Sequence, residues 1–334
     1  MEPAVAHATG TASLRWARWI STALVVVTYA LLVFGSTVRI HDAGLACPDW
    51  PMCFGQVVPP SMNFDIFLEW GHRGLAGIVS LIFLGLGAVL VSAKALRKRY
   101  LALWGIGAVV LAIQIVLGGL TVLKLLAEWT VTSHLVTGNT FCLILLVIAM
   151  LLWDHGRAAR RTPATAVQRV AVLALGGAVL VQLALGGFVA SSHAGLACGP
   201  VWPECGNSAY FPTFEGTVGL QVMHRIGAYT LLAVAVGVAA LGRGRGRHGV
   251  AAVVVLALVV GQACLGIANV WLAMPALLTA GHSAGAALSV LAITWLVYET
   301  WRAPLKLSSS VPKQSQPGKD VRNERSGQTA LEAS

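Results

Sequence analysis

The amino-acid sequence predicts an all-α polytopic membrane protein, with eight transmembrane helices arranged as two parallel-repeat four-helix bundles. Of its 334 residues, 57% are hydrophobic and only 11% are charged, whereas a soluble domain has about 25% charged residues. The apolar residues also occur in runs of about twenty, the length that crosses a bilayer core as a helix. Finally, the second half of the chain repeats motifs of the first. This composition excludes a soluble enzyme.

The apolar runs define the predicted helices. They lie at about residues 19–39, 67–92, 101–122, 130–152, 169–191, 219–241, 250–272 and 279–301. The first run is too long, and too poorly followed by a small-residue cleavage site, to be a removable signal peptide. We therefore expect an N-terminal segment, two bundles, a linker between them and a disordered tail rich in Ser and Pro. In chain order, the predicted bounds are 1–18 for the N-terminal segment, 19–152 for the first bundle, 153–168 for the linker, 169–301 for the second bundle and 302–334 for the tail.

The distribution of positive charge predicts the orientation. The net charge of +10 would suggest a nucleic-acid partner in a soluble chain. Here all of the 23 Lys and Arg residues except Arg39, Arg73, Lys124 and Arg225 fall on one side of the predicted membrane. Because basic loops stay in the cytoplasm, both termini are predicted to be cytoplasmic in the cell membrane, and no nucleic-acid partner is expected.

Two halves of the chain carry matched motifs at nearly constant offsets. Because each half has an even number of helices, both halves enter the membrane from the same side and are related as parallel repeats. The matched motifs are His41 to Cys47 with His193 to Cys198, Glu69-x-x-His72-Arg73 with Gln221-x-x-His224-Arg225, and Gln114-x-x-x-Gly118 with Gln262-x-x-x-Gly266.

Four histidines are the first candidate functional residues: His72, His134, His224 and His282. Each lies a few residues inside the outer end of an even-numbered helix, within about 10 Å of the surface at about 1.5 Å per residue. One such histidine alone would suggest an interhelical hydrogen bond. Zinc or copper would require three or four converging ligands, whereas two imidazoles per bundle suit the axial positions of a haem. We predict one haem pocket in each half, with His72 paired to His134 and His224 to His282.

Two arginines and several glycines accompany these histidines. Arg73 and Arg225 each follow a histidine, so they are candidate cations for the haem propionates, with an arginine that extends to the membrane surface as the alternative. The glycines of helices three, five and seven are interpreted as helix-packing residues. They are Gly118, Gly119, Gly186, Gly187 and Gly266.

The cysteines divide into loop pairs and single residues within helices. Disulfides persist on the oxidising side of the membrane, and the outer-loop cysteines are separated by only a few residues. We therefore predict the pairs Cys47–Cys53 and Cys198–Cys205, as clips over the pockets or, for the first pair, with a redox role. Cys142 and Cys264 are predicted to be small core residues.

One position distinguishes the two halves: Glu69 in the first is replaced by Gln221 in the second. Glu69 is three residues before His72 and so shares its helical face. A carboxylate there can move a proton or stabilise positive charge, which an amide cannot do. The alternative is an acidic residue placed favourably at a helix N-terminus.

Taken together, the motifs resemble the haem A synthase family of bacteria and mitochondria. The resemblance covers about residues 15–302. The residues that carry it are Gly35-Ser-Thr-Val-Arg39, Ala43-Gly-Leu-Ala-Cys47-Pro-Asp-Trp50-Pro-Met-Cys53-Phe-Gly55, Pro59-Pro60, Glu69-x-x-His72-Arg73, His134, His224-Arg225 and His282.

The resemblance implies an oxidoreductase that oxidises the C8 methyl of haem O to a formyl group in two successive oxidations, supplying haem A for cytochrome oxidase. It implies that His224 and His282 ligate a haem b cofactor, while His72 and His134 flank the haem O substrate. Glu69 matches the essential carboxylate of the family.

The resemblance also implies partners: the farnesyltransferase that makes haem O, an unidentified electron donor and the membrane lipid. A homo-oligomer is left open. Two other functions stay open at this point, a two-haem transmembrane electron-transfer cytochrome b and a haem carrier. The asymmetry between Glu69 and Gln221 favours the synthase over both.

Overall fold

The computed structural model describes residues 2–156, 163–206, 209–244 and 246–301. Within these ranges the chain forms eight long helices, each long and apolar enough to cross a membrane. They are α1 (Glu2–Ile40), α2 (Phe64–Ser92), α3 (Lys94–Leu123), α4 (Glu128–Trp153), α5 (Ala166–Ser191), α6 (Gly216–Gly242), α7 (Gly246–Trp271) and α8 (Ala276–Trp301). The predicted all-α polytopic membrane protein is confirmed.

The helices extend beyond the apolar runs that predicted them. The largest difference at an internal boundary is at α3, which begins at Lys94 rather than at about residue 101. Lysine and arginine are good helix formers, so the basic segment after α2 continues as helix although it is not apolar. The predicted tail at 302–334 and residues 157–162 of the predicted linker lie outside the described residues.

Local capping fixes where two of the helices begin. The Asn63 side chain accepts the backbone N–H of Ile66 at 2.8 Å, as an N-cap of α2. Thr165 and Gln168 form a reciprocal capping box at the start of α5. The cap of α2 places Glu69 and His72 in the second and third turns of that helix.

The helices of each half form a closed ring. In the first half α1 packs on α2 and α4, and α3 packs on the same two helices. The corresponding contacts join α5, α6, α7 and α8. The halves meet through α1, α4, α5 and α8. These contacts are consistent with the predicted pair of four-helix bundles.

The large apolar side chains of each half fill one end of its bundle, and the histidines lie at the other. In the first half Phe83, Leu86 and Leu145 are fully buried, and Phe83 stacks on Trp104 with ring centroids 5.2 Å apart. Phe83 follows His72 by eleven residues, which is about 16 Å along a helix. We call the two ends the histidine end and the basic end, the latter containing the connection between α2 and α3.

An arginine closes the ring of the first half at the basic end. Arg18 of α1 donates from Nε to the Leu152 carbonyl at 2.9 Å and from Nη2 to the His155 carbonyl at 3.1 Å. Its guanidinium lies 5.4 Å from the centre of the Trp153 ring. The last carbonyls of a helix have no partner within it, and a cation there complements the helix dipole. Arg18 therefore ties α1 to the end of α4.

We expect the R18A variant to unfold at a lower temperature than the parent chain. It loses two charge-assisted hydrogen bonds, which corresponds to about 1–3 kcal/mol of unfolding free energy. Thermal unfolding of the detergent-solubilised protein measures the loss. The control is R15A, because Arg15 is exposed. An R18A midpoint equal to that of R15A would contradict this role.

Candidate functional site

Each of the four predicted histidines packs its imidazole against a glycine of the preceding helix. A Cβ added at that glycine would lie 2.8 to 3.2 Å from the imidazole Cε1, closer than a methyl group can approach without displacing the ring. The absence of a side chain at the glycine is therefore what lets Cε1 of the ring approach the neighbouring backbone. The pairs are Gly35 with His72, Gly118 with His134, Gly186 with His224 and Gly266 with His282.

These contacts correct the interpretation of the glycines. Gly118, Gly186 and Gly266 were expected to serve helix packing alone, but each lies against an imidazole. Gly35 was not paired with His72 in the sequence. The structure thus repeats one unit four times, a helix hairpin with a glycine on its odd-numbered helix and a histidine on the even-numbered one.

Three of the hairpins add a glutamine, four residues before the glycine. The amide nitrogen of Gln114 lies 3.2 Å from Nε2 of His134. That of Gln182 lies 3.1 Å from Nδ1 of His224 and donates to the His224 carbonyl at 2.9 Å. Gln182 was missed in the sequence, although the pattern Gln-x-x-Leu-Gly in α3, α5 and α7 could have identified it.

The third glutamine belongs to the last hairpin. Gln262 donates its amide to the carbonyl of His282 at 2.6 Å. Its contact is with the main chain rather than with the ring. In all three hairpins the amide group therefore hydrogen-bonds to the histidine residue that faces the paired glycine.

The imidazoles fit a haem iron as their ligand partner. The Nδ1 atoms of His72, His134 and His282 are buried with no hydrogen-bond partner, and burying a polar atom unpaired is costly. In the described part of the chain, no three His, Cys, Asp or Glu side chains come together to hold a metal ion. Two imidazoles per half match the axial ligands of a haem.

The first half contains a buried acid joined to the outer loop. Glu69 is 7% exposed, and its Oε1 accepts the Nε–H of Arg73 at 2.8 Å. Arg73 also donates from Nη1 to the carbonyls of Asp49 and Met52, both at 2.6 Å, and from Nη2 to that of Cys47 at 3.2 Å. One guanidinium thus holds the acid and the loop between α1 and α2 together.

The second half reproduces the arginine contacts without the acid. Arg225 donates to the carbonyls of Val201 at 3.0 Å and Glu204 at 2.8 Å. Its buried Nε has no hydrogen-bond partner. Gln221, which replaces the acid, donates instead to the Gly195 carbonyl at 3.0 Å. In both halves an arginine therefore holds the outer loop, but the residue four positions before that arginine is an acid only in the first half.

Comparison with known proteins identifies the family. Residues 17–294 match the model of the family COX15-CtaA, described as cytochrome oxidase assembly protein. The chain belongs to this family. A relative from Bradyrhizobium sp. (strain ORS 278), named heme A synthase, is 31% identical over 84% of this chain and 90% of its own length.

Two further relatives carry the same name. The protein from Shewanella oneidensis is 28% identical over 85% of this chain and 96% of its own length. That from Hyphomonas neptunium is 29% identical over 86% of this chain and 92% of its own length. Proteins similar over nearly their whole length are thus named as haem A synthases, as the sequence resemblance predicts.

This member of the COX15-CtaA family carries both predicted disulfides. Cys47 bonds to Cys53 and Cys198 to Cys205, and all four residues are buried. Both pairings are confirmed. Of the single cysteines, Cys142 is buried as predicted.

Cys264 corrects the prediction for the remaining cysteine. It is exposed on α7, whereas a core position was expected. In a membrane helix the lipid-facing and core-facing surfaces are both apolar. An apolar stretch therefore does not indicate which of the two surfaces a small residue such as cysteine occupies.

The loop between α1 and α2 covers the histidine end of the first half. The Trp50 indole lies against Gly119, where an added Cβ would be 3.1 Å from the ring. Gly119 follows Gly118, which faces His134. The loop therefore reaches from α1 across to α3, above the first pair of histidines.

The propionate role expected of Arg73 and Arg225 stays a prediction, since the contacts described for both are within the protein.

Asp49 stabilises the shape of this loop. Its carboxylate accepts the backbone N–H of Phe54 at 2.7 Å and of Gly55 at 2.8 Å. These bonds, that of Gly55 foremost, lower the pKa of Asp49 below its ordinary value. A group with a lowered pKa in the folded state stabilises that state fully above its ordinary pKa. The stabilisation is lost as the pH falls through the lowered value.

We expect D49A to speed amide hydrogen exchange at Phe54 and Gly55 by about tenfold at neutral pH, because two charge-assisted hydrogen bonds are removed. Exchange measured by mass spectrometry tests this. In the parent chain, protection of the two amides should fall as the pH is lowered below the ordinary carboxyl pKa. The control D65A removes an exposed carboxylate of α2. Equal exchange in D49A and D65A would contradict the assignment.

Proposed function

We propose that this chain is a haem A synthase, a multi-pass membrane oxidoreductase that converts haem O to haem A by oxidising the C8 methyl to a formyl group. The observation that carries the proposal is the combination, in a COX15-CtaA chain, of two matched histidine pairs with a buried acid, Glu69, beside a histidine of the first half and an amide, Gln221, at the matching position of the second. The names of the similar proteins agree with it.

The two halves have different roles in this proposal. His224 and His282 hold a resident haem b, and His72 and His134 flank the haem O substrate. The division is supported by Glu69, which lies in the helix that carries His72, whereas Gln221 occupies the matching position beside His224. An acid is of use where bonds change, while a haem that only transfers electrons has no need of one. When bound, haem b would supply one-electron transfer.

Glu69 acts on the proton and charge balance of the reaction. Its Oε1 is held by the Arg73 Nε–H, so the carboxylate has a fixed position on the face of α2 that also carries His72. From there Glu69 can accept a proton from water or stabilise positive charge that develops near the methyl carbon. Arg73 orients it and offsets the cost of burying its charge.

The outer loop limits the access of water to the first pocket. The disulfide between Cys47 and Cys53 and the Arg73 contacts hold the loop in place, with Trp50 against α3. A covered pocket strengthens every electrostatic interaction inside it and suppresses side reactions. The structural role of the disulfide is therefore the one that we propose.

The orientation in the membrane follows from the charges of the basic end. Arg97, Lys98 and Arg99 lie in the first turns of α3, and Arg243 and Arg247 lie at the junction of α6 and α7. Because basic connections stay in the cytoplasm, we place both termini there and the histidine end at the outer face. Haem O then arrives from the farnesyltransferase within the same membrane, and the electron donor is unidentified.

We expect E69Q to lower conversion of haem O to haem A by about 100-fold or more, the contribution of a positioned acid or base. Haem O or its alcohol should accumulate. The measurement is chromatography of haems extracted after coexpression with a source of haem O. The matched control is Q221E at the equivalent position of the second half, which should still form haem A. Full conversion in E69Q would remove Glu69 from the mechanism.

Histidine variants test the assignment of the two pockets. H224A should lose the haem b that copurifies with the parent, because a single remaining imidazole holds the iron weakly. H72A should retain that haem b and lose haem O binding. Pyridine haemochrome spectra and extraction measure both. If H72A loses haem b while H224A keeps it, the roles of the halves are reversed.

A further inference from the structure

Three of the four histidines are held by a device of two residues, which we call the bracket. It consists of a glutamine on the odd-numbered helix, whose amide hydrogen-bonds to the histidine residue, and a glycine three or four residues after the histidine, on which the glutamine lies. The brackets are Gln114 with Gly138, Gln182 with Gly227, and Gln262 with Gly285.

The bracket glycine is required by the position of the glutamine. A Cβ added at Gly138 would lie 2.9 Å from Nε2 of Gln114. A Cβ added at Gly227 or Gly285 would overlap the side-chain oxygen of the neighbouring glutamine. The glutamine can therefore occupy its position only because the facing residue is a glycine. A hairpin without the glutamine does not need a glycine at that position.

The hairpin of α1 and α2 lacks both residues. Leu31 stands four residues before Gly35, where the other odd-numbered helices have glutamine, and Leu75 stands three residues after His72. Phe34 replaces the leucine that precedes the glycine in the other hairpins, and its ring centroid is 6.1 Å from that of His72. Nδ1 of His72 is buried without a hydrogen-bond partner, as are those of His134 and His282. What distinguishes His72 is that no glutamine amide lies against it, and the contacts described for its ring are with Gly35 and Phe34.

We propose that the brackets are positioning devices that hold His134, His224 and His282 in place, and that His72, which has none, is the histidine that releases its haem iron. The inference rests on the proposed function and extends it. The amides of Gln114 and Gln182 contact the imidazole itself, and that of Gln262 holds the main chain of His282. Hydrogen bonds are directional and restrict the group that they hold. An imidazole held by apolar contacts alone keeps more freedom to turn, because those contacts are not directional.

The absence of a bracket at His72 suits the chemistry proposed for the first half. A resident haem b has to stay in its pocket, and both of its proposed ligands have brackets. A substrate has to enter, react and leave in every cycle, so at least one of its ligands has to let go. The unbracketed His72 lies in the same helix as Glu69, three residues away. The ligand that is free to leave and the acid are therefore in the same pocket.

Carbon monoxide binding to the reduced protein measures the release of an axial ligand. The purified chain, with haem in both halves, is reduced with dithionite and mixed with carbon monoxide, and the absorbance is followed in time. In the parent, the haem of the first half should combine with carbon monoxide and that of the second half should not. Two equally reactive haems, or none that reacts, would overturn the proposal.

Building a bracket into the first hairpin should hold His72. The double variant L31Q/L75G reproduces Gln182 and Gly227, and its carbon monoxide reaction should slow by about fivefold or more, the factor of one net hydrogen bond. The matched control L31M changes the same position without adding an amide and should keep the parent rate. If L31Q/L75G binds haem and reacts at the parent rate, His72 is not the ligand that leaves.

Removing the bracket from the hairpin of α5 and α6 tests the same device while the hairpin of α1 and α2 is unchanged. Q182M keeps the length of the side chain but cannot donate a hydrogen bond, so the second haem should become reactive towards carbon monoxide. A residue that only fills space would give no such change. An unreactive second haem in Q182M overturns the proposal, and this arm decides the outcome if L31Q/L75G does not fold.

The formation of haem A is measured in the same preparations. If the parent chain makes haem A and the bracket variants leave carbon monoxide binding unchanged, the bracket proposal fails and the synthase proposal stands. If the parent makes no haem A from haem O, the synthase proposal fails. The two proposals are thus separable by independent measurements.

Discussion

The arrangement of the site depends on how four imidazoles are buried among apolar helices. A polar ring in a membrane bundle is costly unless its nitrogens find partners. Each ring here lies with its Cε1 atom against a glycine of the preceding helix, which brings two backbones close together and orients the imidazole within its bundle. The largest apolar clusters lie towards the opposite end of each half, and only smaller ones lie beside the histidines.

The two halves share one kind of hairpin and differ in its details. In the second half both histidines have a glutamine bracket, and Gln221 makes a neutral contact with the loop. In the first half the acid Glu69 is bound to Arg73, and the bracket of the first hairpin is absent. Under the proposed function, these small substitutions on a shared backbone separate the half that holds a cofactor from the half that carries out chemistry on a substrate.

Much of this could be predicted from the sequence. The helices follow from runs of apolar residues, since a bilayer demands a minimum length, and the histidines stand out because ionisable residues within such runs are rare. The disulfide pairs follow from short separations within loops. The motif match between halves predicts which histidines correspond, and it identifies Glu69 and Gln221 as the point of difference.

Other features required the structure. Comparing halves does not reveal a unit that repeats four times, so the pairing of Gly35 with His72 and the part played by Gln182 were missed. The contacts of Arg73 with loop carbonyls depend on how an irregular loop folds back, which no periodicity encodes. The exposure of Cys264 depends on helix rotation, and lipid and core select similar residues on the two sides of a membrane helix.

The most direct test of the account is the electron paramagnetic resonance spectrum of the oxidised, purified chain containing haem. The account predicts low-spin signals of iron ligated by two imidazoles. The signal assigned to the second half should disappear in H224A and persist in H72A. A chain without a Soret band, or with only high-spin iron, would contradict the claim that these histidine pairs hold haem.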